Sequence, residues 1–312
     1  MIRYTGLRLM QGVVVIVLAF TMTFFLLYLV PGDAALARLS QDASITPDAI
    51  EALRASMGLD QPWYVAYGTQ LVGLFTLNFG HSLVNGKPVL DVIAESLPNT
   101  LQLAGAALLV AVVLGVSIAV IAVYTRTRWL RSTLLALPVL GASIPTFWLG
   151  VLLLAVFAFQ LGWFPAFGST GIQSLVLPVV TLGAVCSAGI AQVLATSLLD
   201  TSRSGFAFTA LTKGASRWRV LLAHCLRTAS IPMLTMIGLL TGTLITGSVI
   251  TETVFSRAGI GREILQGVET SDFPVVQGIV MICAITFVLV NLVVDILYPV
   301  LDPRLRTTLS RS

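Results

Sequence analysis

Apolar residues along this chain run in long blocks instead of alternating or recurring at one helical face. A helix needs roughly 20 mostly apolar residues to cross a bilayer, and six blocks meet that length, at about 9–30, 97–124, 134–160, 175–199, 231–254 and 276–300. The pattern predicts an all-α membrane protein with six transmembrane helices and a single transmembrane domain over 1–312. The first block exceeds the roughly 7–15 apolar residues of a secretory signal. Pro31-Gly32-Asp33 follows it where a cleavage site would need small residues, so it is read as the first span. Pro138, Pro145 and Pro178 fall inside blocks and are expected to be kinks or helix starts.

Composition agrees. The chain is 56% hydrophobic and 10% charged, with mean hydropathy +0.95, whereas soluble domains carry about 25% charged residues. The cations are unevenly shared between the segments that separate the blocks. Arg3, Arg8, Arg126, Arg128, Arg131, Arg203, Lys213, Arg217, Arg219, Arg227, Arg304, Arg306 and Arg311 lie on one side. Arg38, Arg54, Lys87, Arg257 and Arg262 lie on the other. Lys and Arg concentrate in cytoplasmic loops, so both termini are expected in the cytoplasm. The net charge of +4 then reflects topology and not nucleic-acid binding. Cys186, Cys225 and Cys283 fit no zinc or redox spacing and read as small apolar fillers.

Two polar segments show internal order. The cytoplasmic loop, 200–230, contains "FAFTALTKGASRWRVLLAHCLRTAS". Two helical pieces are expected to flank Gly214, which suits the left-handed residue that ends a helix. Ser216 is placed to cap the second piece. Such a helix–turn–helix can dock in a partner's cleft or lie on lipid headgroups, and the residues alone leave both open. The long loop at 31–96 is expected to hold a helix that starts at Thr46-Pro47-Asp48 and stops at Gly58. An interfacial aromatic group follows at Trp63, Tyr64 and Tyr67, then a turn or hairpin with Asn85-Gly86 at its tip.

Motifs for chemistry are missing. There is no GxxxxGK[ST] phosphate loop, no HExxH and no nucleophile elbow. His81 and His224 are the two histidines, and with no clustered acids no metal site or catalytic residue is expected. Polar residues inside spans usually face a cavity or a neighbouring helix. Asn99, Gln102, Gln192, Thr241, Thr246 and Glu252 are the candidates to line a pathway for a polar solute. Asp295 is expected to pair with a cation, and Arg304 and Arg306 lie nearby in sequence. A stand-alone secondary transporter or channel is the rival reading, with Glu252 and Asp295 as its thin supply of coupling carboxylates.

Several stretches together resemble one family nearly end to end. They are "LYLVPGDAA", "MGLDQPWYVAYGTQL", "LNFGHSLVNGKPVLDVIAESLPNTLQLAGAALL", "ASIPTFWLGVLLL", "TALTKGASRWRVLLAHCLRTASIP", "ETVFSRAGIGREILQGVETSDFPVVQG" and "VDILYPVLDPRLR". The chain resembles the permease subunit of an ABC importer of the peptide/nickel branch, in the bacterial inner membrane. The family's Glu-Ala-Ala falls on Phe208, Thr209 and Ala210, and its glycine on Gly214. The glutamate and first alanine are therefore absent, and Leu226-Arg227 stands where other importers have Leu-Pro. The resemblance implies a type I importer fold with a coupling helix between spans four and five. Thr209, Ala210, Gly214, Ala215, Ser216, Arg217, Trp218 and Arg219 would contact a cytoplasmic ATPase. ATP and magnesium would be bound by two such ATPases and not by this chain. A second homologous permease, which the Gly238/Gly242 pair would suit, and an extracytoplasmic solute-binding protein at the 31–96 and 256–275 loops complete the implied assembly. The cargo would be a short peptide, or nickel or a metallophore complex.

Overall fold

The computed structural model describes residues 2–29 and 61–301, which are almost wholly helical. The helices in chain order are α1 (Ile2–Leu29), α2 (Trp63–Phe75), α3 (Val89–Tyr124), α4 (Arg128–Ser143), α5 (Thr146–Leu153), α6 (Gln173–Ser202), α7 (Gly205–Thr212), α8 (Arg217–Arg219), α9 (Leu226–Val254), α10 (Ile260–Glu269) and α11 (Phe273–Leu301). Among the described residues five helices are long and apolar enough to cross a membrane, or six if one bent pair is counted as a span. The expected helix at 46–57 lies outside the described residues.

Three boundaries differ from the apolar blocks, each for a local reason. Helix α3 starts at Val89 instead of about 97. Its first turns carry Asp91, Glu95 and Ser96 among Val89, Val92 and Ile93, so they are amphipathic and an apolar-run criterion passes over them. The third block is not one rod: α4 and α5 meet at a sharp bend. Pro145 disfavours a helical residue before it, and Ile144 is extended at φ −83, ψ 126. Beyond α5 the chain widens into a π-helical stretch, Leu154–Gln160, and Leu161 N–H donates to Val156 O at 3.0 Å. The fifth long helix begins well before 231. It runs from Arg217 through a π-helical stretch at Val220–Cys225 into α9, with Pro232 inside.

The described residues fall into two compact units. The first holds 2–9, 99–258 and 289–301. Its core sets Leu103, Ala107 and Ala111 of α3 against Leu182, Cys186 and Ile190 of α6 and Leu240 and Leu244 of α9. Without water to drive helices together, small residues let them approach closely. A Cβ added at Gly115 would lie 2.7 Å from Ile190 Cβ, and one at Gly183 would lie 2.8 Å from Val110 Cγ1. A Cβ at Gly238 would lie 3.3 Å from Asn291 Oδ1 and 3.4 Å from Val294 Cγ1. This half of the GxxxG pair therefore packs on α11 of its own chain. Asp295 Oδ2 is 3.3 Å from Arg8 Nε. Its cation comes from the opposite end of the sequence, and Arg304 and Arg306 lie outside the described residues.

The second unit holds 10–29, 61–98 and 259–288. Phe20 and Phe24 of α1 pack with Leu74 of α2 and Met281 of α11. Tyr67 stands 5.3 Å edge-on from Phe24, and its hydroxyl is 2.8 Å from Thr21 Oγ1. Of the expected interfacial aromatics, Trp63 and Tyr64 are exposed and Tyr67 is committed to α1. A second cluster gathers Val89, Ile93, Ile260 and Ile279.

Candidate functional site

The loop between α6 and α9 closes α7 with a turn that its sequence dictates. Gly214 has φ +87, a conformation cheap for glycine alone. Its N–H donates to Leu211 O at 3.0 Å, and Ala215 N–H donates to Ala210 O at 3.1 Å. This pair of bonds is the Schellman helix ending. Ser216 is extended, and its Oγ accepts from Arg219 N–H at 3.3 Å, capping the next helix as its sequence position suggests. The second piece is not a free short helix but the tip of the long helix that continues into α9.

One face of this loop is pinned. Ala207, Val220, Leu221 and Cys225 are buried against Ala119 and Val120 of α3 and Leu194 and Leu198 of α6. The other face is offered outward. Thr209, Gly214, Ser216, Arg217, Trp218 and Arg219 are exposed, while Ala210 and Ala215 are half-buried. Thr209 Oγ1 bonds back to Gly205 O at 2.9 Å. Trp218 packs edge-on to Tyr124 with ring centres 5.0 Å apart. The arrangement is a cationic, partly aromatic knob on an apolar base.

Part of the pathway set converges at the other end of α9. Glu252 is fully buried, and Thr100 Oγ1 donates to its Oε1 at 2.6 Å. Arg257 is 1% exposed. Its Nη1 donates to Ser174 O at 3.3 Å, and its Nε meets no acceptor among the described residues. Burial holds the Arg257 guanidinium below its ordinary pKa, opposed by the Glu252 carboxylate. Asn99 Nδ2 donates to Ala258 O at 2.6 Å, and Ala258 N–H donates to Ser169 Oγ at 2.8 Å. Asn99 and Glu252 thus belong to one polar knot that ties α3, α6 and the end of α9. Arg257 and Thr100 are the members that sequence reasoning missed. The available signal was a lone acid at the end of a span followed by a lone cation. The others do not join them. Gln102 and Gln192 are exposed. Thr241 is buried and turns its hydroxyl to Ile237 O at 3.1 Å. The side chain of Thr246 lies outside the described residues.

The second unit has its own clamp. Asp272 is 2% exposed and accepts from Ser82 Oγ at 2.5 Å, Leu83 N–H at 3.0 Å and Val84 N–H at 3.3 Å. It holds the expected turn, in which Ser82 N–H donates to Lys87 O at 2.8 Å and Gly86 sits at φ +71. Beside it, Lys87 Nζ lies 3.2 Å from Glu95 Oε1. Burial raises the Glu263 carboxyl above its usual range, opposed by Arg262 and Lys87 and reinforced by Glu95. Among the described residues no three of His, Cys, Asp and Glu come together as metal ligands.

Comparison with known proteins fits this geometry. The family of binding-protein-dependent transport system inner membrane components matches residues 86–307, and its N-terminal companion matches residues 1–104. A putative peptide transport system permease protein of Brucella abortus (strain 2308) is 36% identical over 307 residues, covering 96% of this chain and 97% of its own. The dipeptide transport system permease protein of Alkalihalophilus pseudofirmus is 34% identical over 334 residues, covering 98% and 100%. The glutathione transport system permease protein of Escherichia coli (strain K12) is 36% identical over 306 residues, covering 98% and 99%. An inward-facing structure of the MetNI methionine ABC transporter superposes with TM-score 0.58 at 18% identity, covering 68% of this chain and 96% of that one. An amino acid ABC transporter superposes with TM-score 0.53 at 17% identity, covering 67% and 93%. The chain belongs to the binding-protein-dependent transport system inner membrane components: it is a permease subunit of an ABC importer, a multi-pass membrane protein that works with ATPase and solute-binding partners.

Proposed function

From that membership we propose that the chain forms half of a translocation pathway for short peptides. Peptide, dipeptide and glutathione systems are the named roles of relatives at 34–36% identity over nearly the whole chain. Nickel or a metallophore complex is the weaker cargo, since none of those names speaks for it. In this reading both termini and the 200–230 loop face the cytoplasm, which the cation distribution supports. The partners are a second homologous permease, two cytoplasmic ATPases that bind ATP and magnesium, and a solute-binding protein that meets the opposite face.

The observation that carries the reading is the ordered knob at Gly214–Arg219, entered through the helix-ending turn at Gly214, capped by Ser216 and pinned by Ala207 and Cys225. A loop that served topology alone would need charge but no such order. Closure of the ATPases on ATP would push this knob, and the helices attached to it would rock to alternate access. The test is purification of the tagged chain in mild detergent, with identification of every co-purifying protein and assay of solute-stimulated ATP hydrolysis. Recovery of two P-loop ATPases and a second permease supports the reading, and Trp218→Asp should then abolish stimulation. A chain that purifies alone and moves solute without ATP would be a secondary transporter, and the proposal would fail.

A further inference from the structure

Behind the knob the first unit holds a cavity of about 280 Å³. Leu199, Val220 and Leu221 supply apolar lining, and Arg131, Arg203 and Arg217 also line it, from α4, the end of α6 and α8. None of the three guanidinium groups meets a carboxylate among the described residues. The loop's one acid, Asp200, is exposed and does not line the cavity. Three like charges around one opening repel each other unless a counter-charge enters.

Two further features say what kind of anion fits. Tyr124 also lines the cavity, and its ring meets that of Trp218. Both are exposed, as is Trp129 next to Arg128. Tyr and Trp favour the headgroup level of a bilayer, and Tyr124 and Trp129 would set the opening near the level of the phospholipid phosphates. An acidic side chain or free phosphate would satisfy the arginines and leave Leu199, Val220 and Leu221 facing water. An amphiphile satisfies both. The volume has room for roughly nine waters at ~30 Å³ each, enough for a phosphate and its glycerol.

We propose that this cavity binds the phosphodiester headgroup of an anionic phospholipid from the cytoplasmic leaflet, with the arginines on the phosphate and Leu199, Val220 and Leu221 against the first methylenes. Basic pockets between spans at the cytoplasmic side are suited to such headgroups, and planar guanidinium groups pair well with phosphate oxygens. The lipid would brace the loop from behind and leave the Trp218 face free for its partner. The inference rests on the orientation proposed above.

The experiment is native mass spectrometry of the complex purified with its partners, delipidated and titrated with phosphatidylglycerol or phosphatidylcholine. The wild type should retain phosphatidylglycerol in preference. Arg131→Gln with Arg203→Gln should weaken that retention roughly fivefold per arginine and about 25-fold together, with phosphatidylcholine unchanged. Arg131→Lys with Arg203→Lys should keep most of it, which separates charge from misfolding. Equal retention by wild type and the glutamine pair overturns the proposal. Displacement of the lipid by millimolar inorganic phosphate reassigns the site to free phosphate. Binding seen only after the ATPases are stripped reassigns it to an acidic side chain of the ATPase. Co-purification of the ATPases is read in the same spectra, so loss of the importer reading is distinguishable from loss of the lipid site. Labelling of Lys213→Cys by an impermeant maleimide added outside intact cells would remove the orientation on which both stand.

Discussion

Asp272 gives the sharpest quantitative prediction. Its carboxylate is buried and takes three donors from the Ser82–Val84 turn, nearly 190 residues away in sequence. Replacing it with Asn keeps the shape, but one oxygen becomes an NH2 that faces donors. At least one charge-assisted bond is lost and another weakened. Hydrogen bonds to charged groups contribute about 1.5–3 kcal/mol, and a buried donor left unpaired costs about 1–3 kcal/mol. The local cost of Asp272→Asn is therefore about 2–3 kcal/mol. It should fall on the turn and not on the helix core, because the spans keep their apolar contacts. At 1.4 kcal/mol per tenfold, the free energy converts to a roughly 30- to 150-fold loss of protection. Hydrogen–deuterium exchange of a peptide covering 80–88 reads it directly. Peptides from α6 should exchange as in the wild type, and Asp91→Asn, at an exposed position, should change neither. Unchanged exchange at 80–88 in Asp272→Asn would refute the reasoning and show that the turn is held by something other than this carboxylate.

Three more expectations follow from the same geometry. Arg257→Met removes the guanidinium bond to Ser174 O and the cation whose field acts on the buried Glu252, so thermal stability in detergent should fall by about 1.5–3 kcal/mol, and the added Glu252→Gln should restore part of it; fully additive losses would break the coupling argument. Gly214→Ala forces a Cβ into φ +87, at about 1–2 kcal/mol, so the complex should still assemble while solute-stimulated ATP hydrolysis drops, and undiminished coupling would count against the knob. For Glu263 the folded carboxyl is raised above 4.5, so the folded state binds more protons than the unfolded one just above that value. Stability should then fall as pH rises through that window. Glu263→Gln should flatten this part of a melting-temperature profile, and an identical profile would contradict it.

How much of this was legible in sequence depended on distance along the chain. The Gly214 turn and the Ser216 cap could be read because both are settled within six residues by backbone sterics and one side-chain bond. The apolar blocks located the spans, since bilayer thickness imposes a length that composition reveals. Their ends were less visible. Amphipathic turns at Val89–Ser96 carry charges yet remain helical, and Pro145 divides a block that hydropathy alone joins. Contacts made by chain reversal were hidden. Arg257 reaches the interior because Ser256 adopts φ +50 and turns the chain back, and its trace in the sequence is the lone acid Glu252 five residues before it. Asp272 met Ser82, and Asp295 met Arg8, through the packing of distant helices. Of the pathway candidates, Asn99 and Glu252 joined one knot while Gln102 and Gln192 stood outside it, because residue type says nothing about which way a helix is rotated.

The unbroken run from Arg217 to Val254 has a mechanical consequence. At 1.5 Å per residue it is a beam roughly 57 Å long, with Trp218 near one tip and Glu252 at the other. A tilt of about 5° at a fixed base would carry the far tip through roughly 5 Å over that length, about one helical pitch. Its soft joints, the π-helical stretch at Val220–Cys225 and Pro232, both lie in the half nearest Trp218. Compliance is therefore concentrated beside the drive end and stiffness along the remainder, the layout of an oar with its rowlock close to the hand.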